Sequence, residues 1–257
     1  MLHARNAGQG QAVLLLHAFP LNSRMWEPQV EAFRHRARLI APDFPGFGLS
    51  GAPSSTPSLE RYAQEVVALL DHLRVTNVVV VGLSMGGYVA FRLQAELGSR
   101  LYGLLLADTR PTADGEEAVA ARHELAVEVE SEGVEAAAQE FLPKLLGPTT
   151  MRTQPALIDK VRSIMLENTV AGVAGALRAM AARADVTSLL PRIRCPVICL
   201  AGEEDTVTPP DVVRAMAARI PGARAEIVPN AGHLTNLEAP EAFNDALAAL
   251  LAIAAPA

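Results

Sequence analysis

The stretch Val78-Val79-Val80-Val81-Gly82-Leu83-Ser84-Met85-Gly86-Gly87 decides the fold of this chain. Its valines form an apolar run of strand length, and the apolar residues of 88–93 recur with helical spacing. A serine on a sharp strand-to-helix turn has a strained backbone, so the positions two residues to either side must be nearly free of side chains. Gly82 and Gly86 meet this demand. The pattern predicts a nucleophilic serine at the end of a strand, against the plainer alternative of a glycine-rich turn with a solvated hydroxyl.

The rest of the chain alternates short apolar runs with helical patterns. Such runs are continuous rather than alternating, which indicates a sheet that is buried on both faces. The predicted strands are Val13 to Leu16, Ala37 to Ala41, Val78 to Val81, Leu101 to Ala107, Pro196 to Ala201 and Ala225 to Val228. Helical patterns between them, at Leu59 to Leu73 and Pro209 to Ile220, predict an α/β fold with a mostly parallel, doubly wound sheet.

Between the fourth and fifth of these strands the alternation stops. Residues 116–142 and 154–183 favour helix and contain no convincing strand. We expect a helical cap insertion over residues 111–185, with a core domain formed by 1–110 and 186–257. An insertion at this place lies over the edge of the sheet that carries Ser84, where it shapes a pocket and excludes water. A helical layer that only covers the sheet is the alternative.

Composition excludes several classes of protein. The 257 residues carry 22 basic and 28 acidic side chains, a formal net charge of -6 without a basic cluster, so nucleic acid is not an expected partner. No apolar stretch approaches the length of a membrane span, and no signal peptide is evident. Cys195 and Cys199 lie too far apart on one predicted strand to form a disulfide, which favours free thiols and a cytoplasmic location. Their spacing does not fit a zinc site, and no Cys or His cluster elsewhere in the sequence supplies further ligands, so we expect no metal.

A serine hydroxyl needs a general base and a carboxylate that orients the base. His233 follows the last predicted strand, and Asp205 follows the strand before it, so Ser84, Asp205 and His233 occur in the order of a Ser-Asp-His triad. His17 is the other histidine at a predicted strand end, but it precedes the serine. Asp108, at the end of another strand, competes with Asp205 for the role of the acid, as do the neighbouring Glu203 and Glu204.

An oxyanion needs backbone N–H donors. The residue after the nucleophile, Met85, supplies one. The loop His17-Ala18-Phe19-Pro20 follows the first apolar strand and supplies the other, at Phe19, because Pro20 has no N–H.

Over nearly its full length the chain resembles the α/β-hydrolase superfamily. The resemblance rests on Ser84, Asp205, His233 and the His17 loop, together with three further motifs. The segment 43–50 resembles a loop after an early strand of the family, 231–233 resembles its histidine loop, and 200–210 is similar to the acid loop of carboxylesterases and 3-oxoadipate enol-lactonases. The segment 177–183 also resembles the end of the cap in that lactonase-like branch. Ala18 departs from the glycine that many members carry, which bears on substrate size.

The resemblance implies cofactor-free hydrolysis of small carboxylic esters or lactones. Met25, Trp26 and Met180 are candidates for lining the pocket, although core packing is the alternative for each. An enol-lactonase needs a basic group for a substrate carboxylate, for which the candidates are Arg110, Arg122, Arg178 and Arg183. Perhydrolase or carbon–carbon hydrolase activity and a non-catalytic ligand-binding protein are further alternatives. The sequence does not indicate an oligomeric state.

Overall fold

A computed structural model describes residues 1–53 and 55–254 of the chain. Seven strands form one sheet in the order β1-β3-β2-β4-β5-β6-β7. Their bounds are β1 Ala4–Ala7, β2 Ala12–Leu16, β3 Arg38–Pro42, β4 Val78–Leu83, β5 Leu101–Ala107, β6 Val197–Gly202 and β7 Arg224–Val228. All neighbouring pairs are parallel except β1 with β3. The predicted α/β fold with a mostly parallel sheet is confirmed.

Helices cover both faces of this sheet. Outside the segment between β5 and β6, the α-helices are α1 Glu27–Phe33, α2 Leu59–His72, α3 Met85–Leu97, α9 Pro210–Ala217, α10 Thr235–Glu238 and α11 Pro240–Ile253. Successive residues of the strands face opposite sides, so Val80 packs in the core under α2 and α3, whereas Val79 and Val81 pack in the core under α1 and α11. Because both faces are buried, the strands are continuously apolar.

Between β5 and β6 the chain forms five helices, which we call the helical insertion. They are α4 Glu116–Glu132, α5 Val134–Leu145, α6 Pro148–Thr153, α7 Pro155–Leu166 and α8 Val170–Ala181. The two long helical stretches expected from the sequence are each broken once. Gly133 adopts a φ of 91° between α4 and α5, and the side chain of Thr169 caps the N-terminus of α8 by accepting from the N–H of Gly172.

The first strand, β1, has no counterpart among the sequence predictions. Its four residues are mostly half-buried and contain no apolar run. The strand forms because Ala4 to Ala7 pair antiparallel with Pro42 to Leu39 of β3. Its existence depends on a partner more than thirty residues away, which local patterning does not reveal.

Candidate active site

Ser84 lies on the turn between β4 and α3 with φ 54° and ψ −114°, a conformation that side-chain-bearing residues rarely adopt. The two flanking glycines have no room for a side chain. A Cβ at Gly82 would lie 2.6 Å from the carbonyl oxygen of Gly86, and one at Gly86 would lie 2.0 Å from the carbonyl oxygen of Leu16. The steric reason expected for these glycines therefore holds in the structure.

The three residues Ser84, His233 and Asp205 come together although they are far apart in the sequence. His233 Nε2 lies 2.8 Å from Ser84 Oγ, and His233 Nδ1 lies 2.8 Å from Asp205 Oδ2. The imidazole and the carboxylate are almost fully buried, and the serine is 9% exposed. Since an ionised carboxylate only accepts hydrogen bonds, Nδ1 carries the proton and Nε2 is free to accept from the serine hydroxyl.

The loop after β6 holds Asp205 in place. Its Oδ1 accepts from the backbone N–H groups of Val207 and Thr208, at 2.8 and 2.9 Å, which leaves Oδ2 for the histidine. Asp108, the competing acid, makes other contacts: Oδ1 accepts from the Gly202 N–H at 3.0 Å and Oδ2 from the hydroxyl of Thr235 at 2.6 Å. Of the two aspartates, the one that contacts the imidazole is Asp205.

The loop after β2 lies beside the serine turn, since Leu16 pairs with Gly82. The N–H groups of Phe19 and Met85 donate no hydrogen bond to any residue in the ranges 1–53 and 55–254, so both are available to an external oxygen. The side chain of His17 holds this loop through both of its ring nitrogens. Its Nδ1 donates to the Ala18 carbonyl and its Nε2 accepts from the Phe44 N–H, each at 3.0 Å. Complete burial lowers the pKa of His17 to about 4, so the ring is neutral and suited to this pair of bonds.

The helical insertion also holds the loop after β2. The side chain of Asn168 donates to the carbonyl oxygen of Pro20 at 2.8 Å and accepts from the N–H of Gly48 at 2.9 Å. Nothing in the local sequence marked Asn168, because its partners lie in distant segments. The loop that presents Phe19 is thus fastened from both the core and the insertion.

The expected pocket residues have different positions. Met25 is fully buried, and its sulfur accepts from the Ala18 N–H at 3.2 Å, so it supports the loop. Trp26 is also fully buried and packs against Phe243 of α11, with ring centroids 5.8 Å apart, which is a core position and corrects the expectation of a pocket role. Met180 is 2% exposed, and its carbonyl oxygen accepts from Arg183 at 3.0 Å. The contacts found for these side chains do not include Ser84.

Phe141 of α5 lies at the loop after β2, with its ring edge-on to that of Phe19 at 5.1 Å. It also borders a cavity of about 350 Å³ whose lining residues, apart from Arg110, belong to the insertion. The residues that line this cavity include Arg110, Arg122, Leu125, Phe141 and Leu177. The sequence pointed to two of these arginines and did not single out Phe141.

Arg110, Arg122 and Arg183 converge on one carboxylate, that of Asp114. The distances are 2.9 Å from Arg110 Nη2, 2.7 Å from Arg122 Nε and 2.7 Å from Arg183 Nη2, and the Asp114 side chain is fully buried. Hydrogen bonds from Arg183 and the charges of these arginines outweigh burial and lower the pKa of Asp114 to about 2. Arg178, the remaining candidate, pairs with Glu130 on the surface.

The described part of the chain lacks two further kinds of feature. Residues 1–53 and 55–254 contain no group of three or more His, Cys, Asp or Glu side chains placed to hold a metal ion. In the same ranges, every helix is too short or too polar to cross a membrane.

Comparisons with known proteins identify the family of the chain. Residues 13–246 match the model of the alpha/beta hydrolase family. A thermophilic esterase from Thermogutta terrifontis, solved with malate bound, superposes with a TM-score of 0.95 at 39% identity, covering 98% of this chain and 93% of that one. The enol-lactonase from Burkholderia xenovorans LB400 gives a TM-score of 0.90 at 28% identity, covering 98% and 96%. In sequence, 3-oxoadipate enol-lactonase 2 of Acinetobacter baylyi is 28% identical over 240 residues, which is 93% of this chain and 88% of that protein.

The chain belongs to the α/β-hydrolase family. Within the family it is a hydrolase of the branch that contains esterases and enol-lactonases.

Proposed function

We propose that this protein is a serine carboxylesterase that hydrolyses small carboxylic esters. The observation that carries the proposal is the continuous hydrogen-bonded chain from Ser84 Oγ through the imidazole of His233 to Asp205, with both links at 2.8 Å. Two further features support the same chemistry: the strained turn that holds the serine, and the N–H groups of Phe19 and Met85, which have no acceptor among the described residues.

In the first half of the proposed reaction, Ser84 Oγ attacks the ester carbonyl carbon while His233 Nε2 takes the hydroxyl proton. Asp205 keeps the imidazole in the required tautomer and stabilises its charged form. The carbonyl oxygen becomes an oxyanion that accepts from the Phe19 and Met85 N–H groups. His233 then returns the proton to the leaving alcohol as the tetrahedral intermediate collapses to an acyl-enzyme.

In the second half, a water molecule replaces the alcohol. His233 takes a proton from the water as its oxygen attacks the acyl carbon, and the same two N–H groups hold the new oxyanion. The proton returns to Ser84 Oγ as the carboxylic acid leaves. The protein supplies every proton transfer from its own side chains in this scheme.

We also propose that residues 111–185 act as a cap on a core formed by 1–110 and 186–257. The proposal is supported by contacts at the reaction site, since the Leu145 carbonyl accepts from the His233 N–H and Phe141 packs against Phe19. A cap in this position excludes water and limits the size of the acyl group.

The proposed function is tested by hydrolysis of p-nitrophenyl acetate, butyrate and octanoate with the wild type and Ser84→Ala. We expect turnover of the shorter esters and its loss, by several powers of ten, in the variant. A phosphonate probe that labels the wild type and leaves Ser84→Ala unlabelled identifies the nucleophile independently. Equal activity of the variant and the wild type would refute the serine mechanism.

A second candidate is hydrolysis of a lactone that bears a carboxylate, as in the enol-lactonase relatives. Arg122 favours this candidate. Its guanidinium lines the cavity beside Phe141 and, among the described residues, donates to Asp114 only through Nε, so its Nη groups can bind a substrate carboxylate. Exposed acidic groups, Glu124, Glu128 and Glu140, line the same cavity together with Lys144. The lining as a whole therefore carries no excess of positive charge. For this reason we favour a neutral ester over a carboxylate-bearing lactone as the substrate.

Arg122→Gln separates the two candidates, since glutamine can still donate to Asp114 but offers no charge. For a carboxylate-bearing lactone we expect KM to rise by about tenfold or more, with p-nitrophenyl acetate unaffected. Arg178→Gln, on the exposed pair with Glu130, is the matched control. An unchanged KM for the lactone would remove Arg122 from substrate binding.

A cytoplasmic location is part of the proposal and is supported by the thiols. Cys195 and Cys199 are both free, as the sequence predicted. Burial raises the pKa of Cys195 to about 11 and that of Cys199 to about 12, so both remain protonated and unreactive.

A further inference from the structure

The loop that carries His233 is bonded to the helical insertion. The N–H of His233 donates to the carbonyl oxygen of Leu145, the last residue of α5, at 3.0 Å. The two backbones also pack without a gap: a Cβ at Gly232 would lie 2.2 Å from the backbone nitrogen of Gly147. The position of the imidazole therefore depends on where the end of α5 lies.

Glu238 joins the same two segments through its side chain. Oε1 accepts from the N–H of Leu234, the residue after the histidine, at 3.0 Å, and Oε2 accepts from the N–H of Gly147 at 2.8 Å. The side chain is 7% exposed and lies in α10, directly after the histidine loop. Its two oxygens thus satisfy two buried backbone donors that belong to different parts of the chain.

The acid loop has a parallel link to the insertion. Glu204, next to Asp205, accepts from the Thr149 N–H at 2.8 Å and from the Thr149 hydroxyl at 2.5 Å. The segment 145–149 is consequently bonded to both loops that carry the partners of Ser84. This second link is more exposed, since Glu204 is only half-buried whereas Glu238 is buried.

We propose that Glu238 is a positioning residue that fixes His233 by bonding the histidine loop to the insertion. The inference rests on the proposed function, in which His233 is the general base. Glu238 itself touches no reacting atom. A carboxylate is required because both bonds come from N–H donors, and an amide side chain offers only one acceptor oxygen while its NH₂ group would face the other donor.

The test is Glu238→Gln, with Glu241→Gln on the exposed start of α11 as the matched control. We expect kcat on a p-nitrophenyl ester to fall by about 10- to 100-fold in Glu238→Gln, with KM within about twofold, because a small misplacement of a base slows the chemical step more than binding. The control should keep the wild-type kcat. The downfield proton NMR signal of the His233 Nδ1–H, which a merely stabilising side chain would not change, should weaken or disappear in Glu238→Gln.

Gly147→Ala tests the same coupling without altering the carboxylate. Its Cβ would lie 2.9 Å from the Gly232 nitrogen and 2.5 Å from Glu204 Oε2, so it pushes the segment 145–149 away from the histidine loop. We expect the same fall in kcat and the same loss of the NMR signal. This variant decides the question if Glu238→Gln does not fold.

Folded variants with wild-type kcat and an intact Nδ1–H signal would overturn the inference, even if their melting temperatures were lower. Failure of the proposed function looks different. In that case Ser84→Ala keeps its activity, whereas failure of the present inference leaves Ser84→Ala inactive and Glu238→Gln fully active.

Discussion

The hydroxyl of Thr235, which lies two residues after His233 in the chain, donates to the carboxyl group of Asp108 at 2.6 Å. The other oxygen of Asp108 accepts from the N–H of Gly202, at the start of the acid loop. Asp108 thereby joins the histidine loop to the acid loop from inside the core, where it is fully buried.

Replacing Asp108 by asparagine should make stability less dependent on pH. Burial, together with the negative charges of Asp205 and Glu238, raises the pKa of Asp108 well above its usual range. A carboxyl with a raised pKa in the folded state contributes stability that is complete below its unfolded pKa and is lost as pH rises through the folded pKa. From about pH 4 to about pH 7, the free energy of unfolding of the wild type, measured in urea, should therefore decrease relative to that of Asp108→Asn. Parallel pH dependences of the two proteins would contradict this.

Asp205→Asn and Asp108→Asn form a matched pair that separates the two acids by activity. Asparagine at position 205 would present an N–H to the imidazole and favour the wrong tautomer, so we expect kcat to drop by about 10³- to 10⁴-fold. Asp108→Asn keeps an acceptor for Gly202 and should retain activity within about fivefold. Both values come from initial rates on p-nitrophenyl butyrate. The reverse order of the two losses would assign the acid to Asp108.

His17 should lower the stability of the protein in mild acid. Because its folded pKa is depressed to about 4, the neutral ring contributes stability that is present above the unfolded pKa and lost as pH falls toward the folded value. Between the ordinary value near 6.5 and about 4, this loss amounts to roughly 3 kcal/mol. His17→Gln, which does not titrate, should be less stable at neutral pH but lose less on acidification. Urea unfolding at the two ends of this window measures the difference, and equal losses would show that the ring protonates without cost.

Gly86→Ala should disrupt the serine turn. The added methyl group would meet the backbone of β2 at Leu16, which cannot move without the sheet, so we expect a loss of at least about 1–3 kcal/mol in unfolding free energy and little activity. Gly51→Ala is the control, because a Cβ there meets no atom of the described residues within 4 Å. Thermal melts and ester hydrolysis of both variants provide the comparison. A stable, active Gly86→Ala would mean that the turn tolerates a side chain at this position.

The sheet could be predicted from the sequence because its buried strands are continuous apolar runs. All six predicted strands occur, with ends that coincide or differ by at most two residues. The strand that was missed, Ala4–Ala7, has no such run and is defined by its partner. The breaks at Gly133 and Thr169 within the predicted helices depend on single residues whose local role periodicity does not reveal.

The residues of the candidate site could be predicted only where their chemistry is tied to a strand end. Ser84 and His233 follow β4 and β7, and the sequence identified both. Asp108 and Asp205 also follow neighbouring strands, so only the three-dimensional contact with the imidazole distinguishes them. Glu238 and Asn168 are bonded to partners that are distant in the chain, and no motif marks them. Trp26 was a candidate for lining the pocket with core packing as the alternative, and an apolar side chain fits both positions, so the sequence does not distinguish them.

The bonds of the insertion to the loops around Ser84 limit how its substrate range can be engineered. A transplant of residues 111–185 from a relative would lose the Gly147 N–H that donates to Glu238 and the Asn168 side chain that accepts from the Gly48 N–H, unless the graft carries matching residues. Libraries that keep 145–149 and 168–169 constant and vary the inner faces of α4 and α8 avoid that conflict. In this protein the segment 145–149, which is bonded to the loops around Ser84, lies in the middle of the insertion, and the helices near its two ends, α4 and α8, are the region open to redesign.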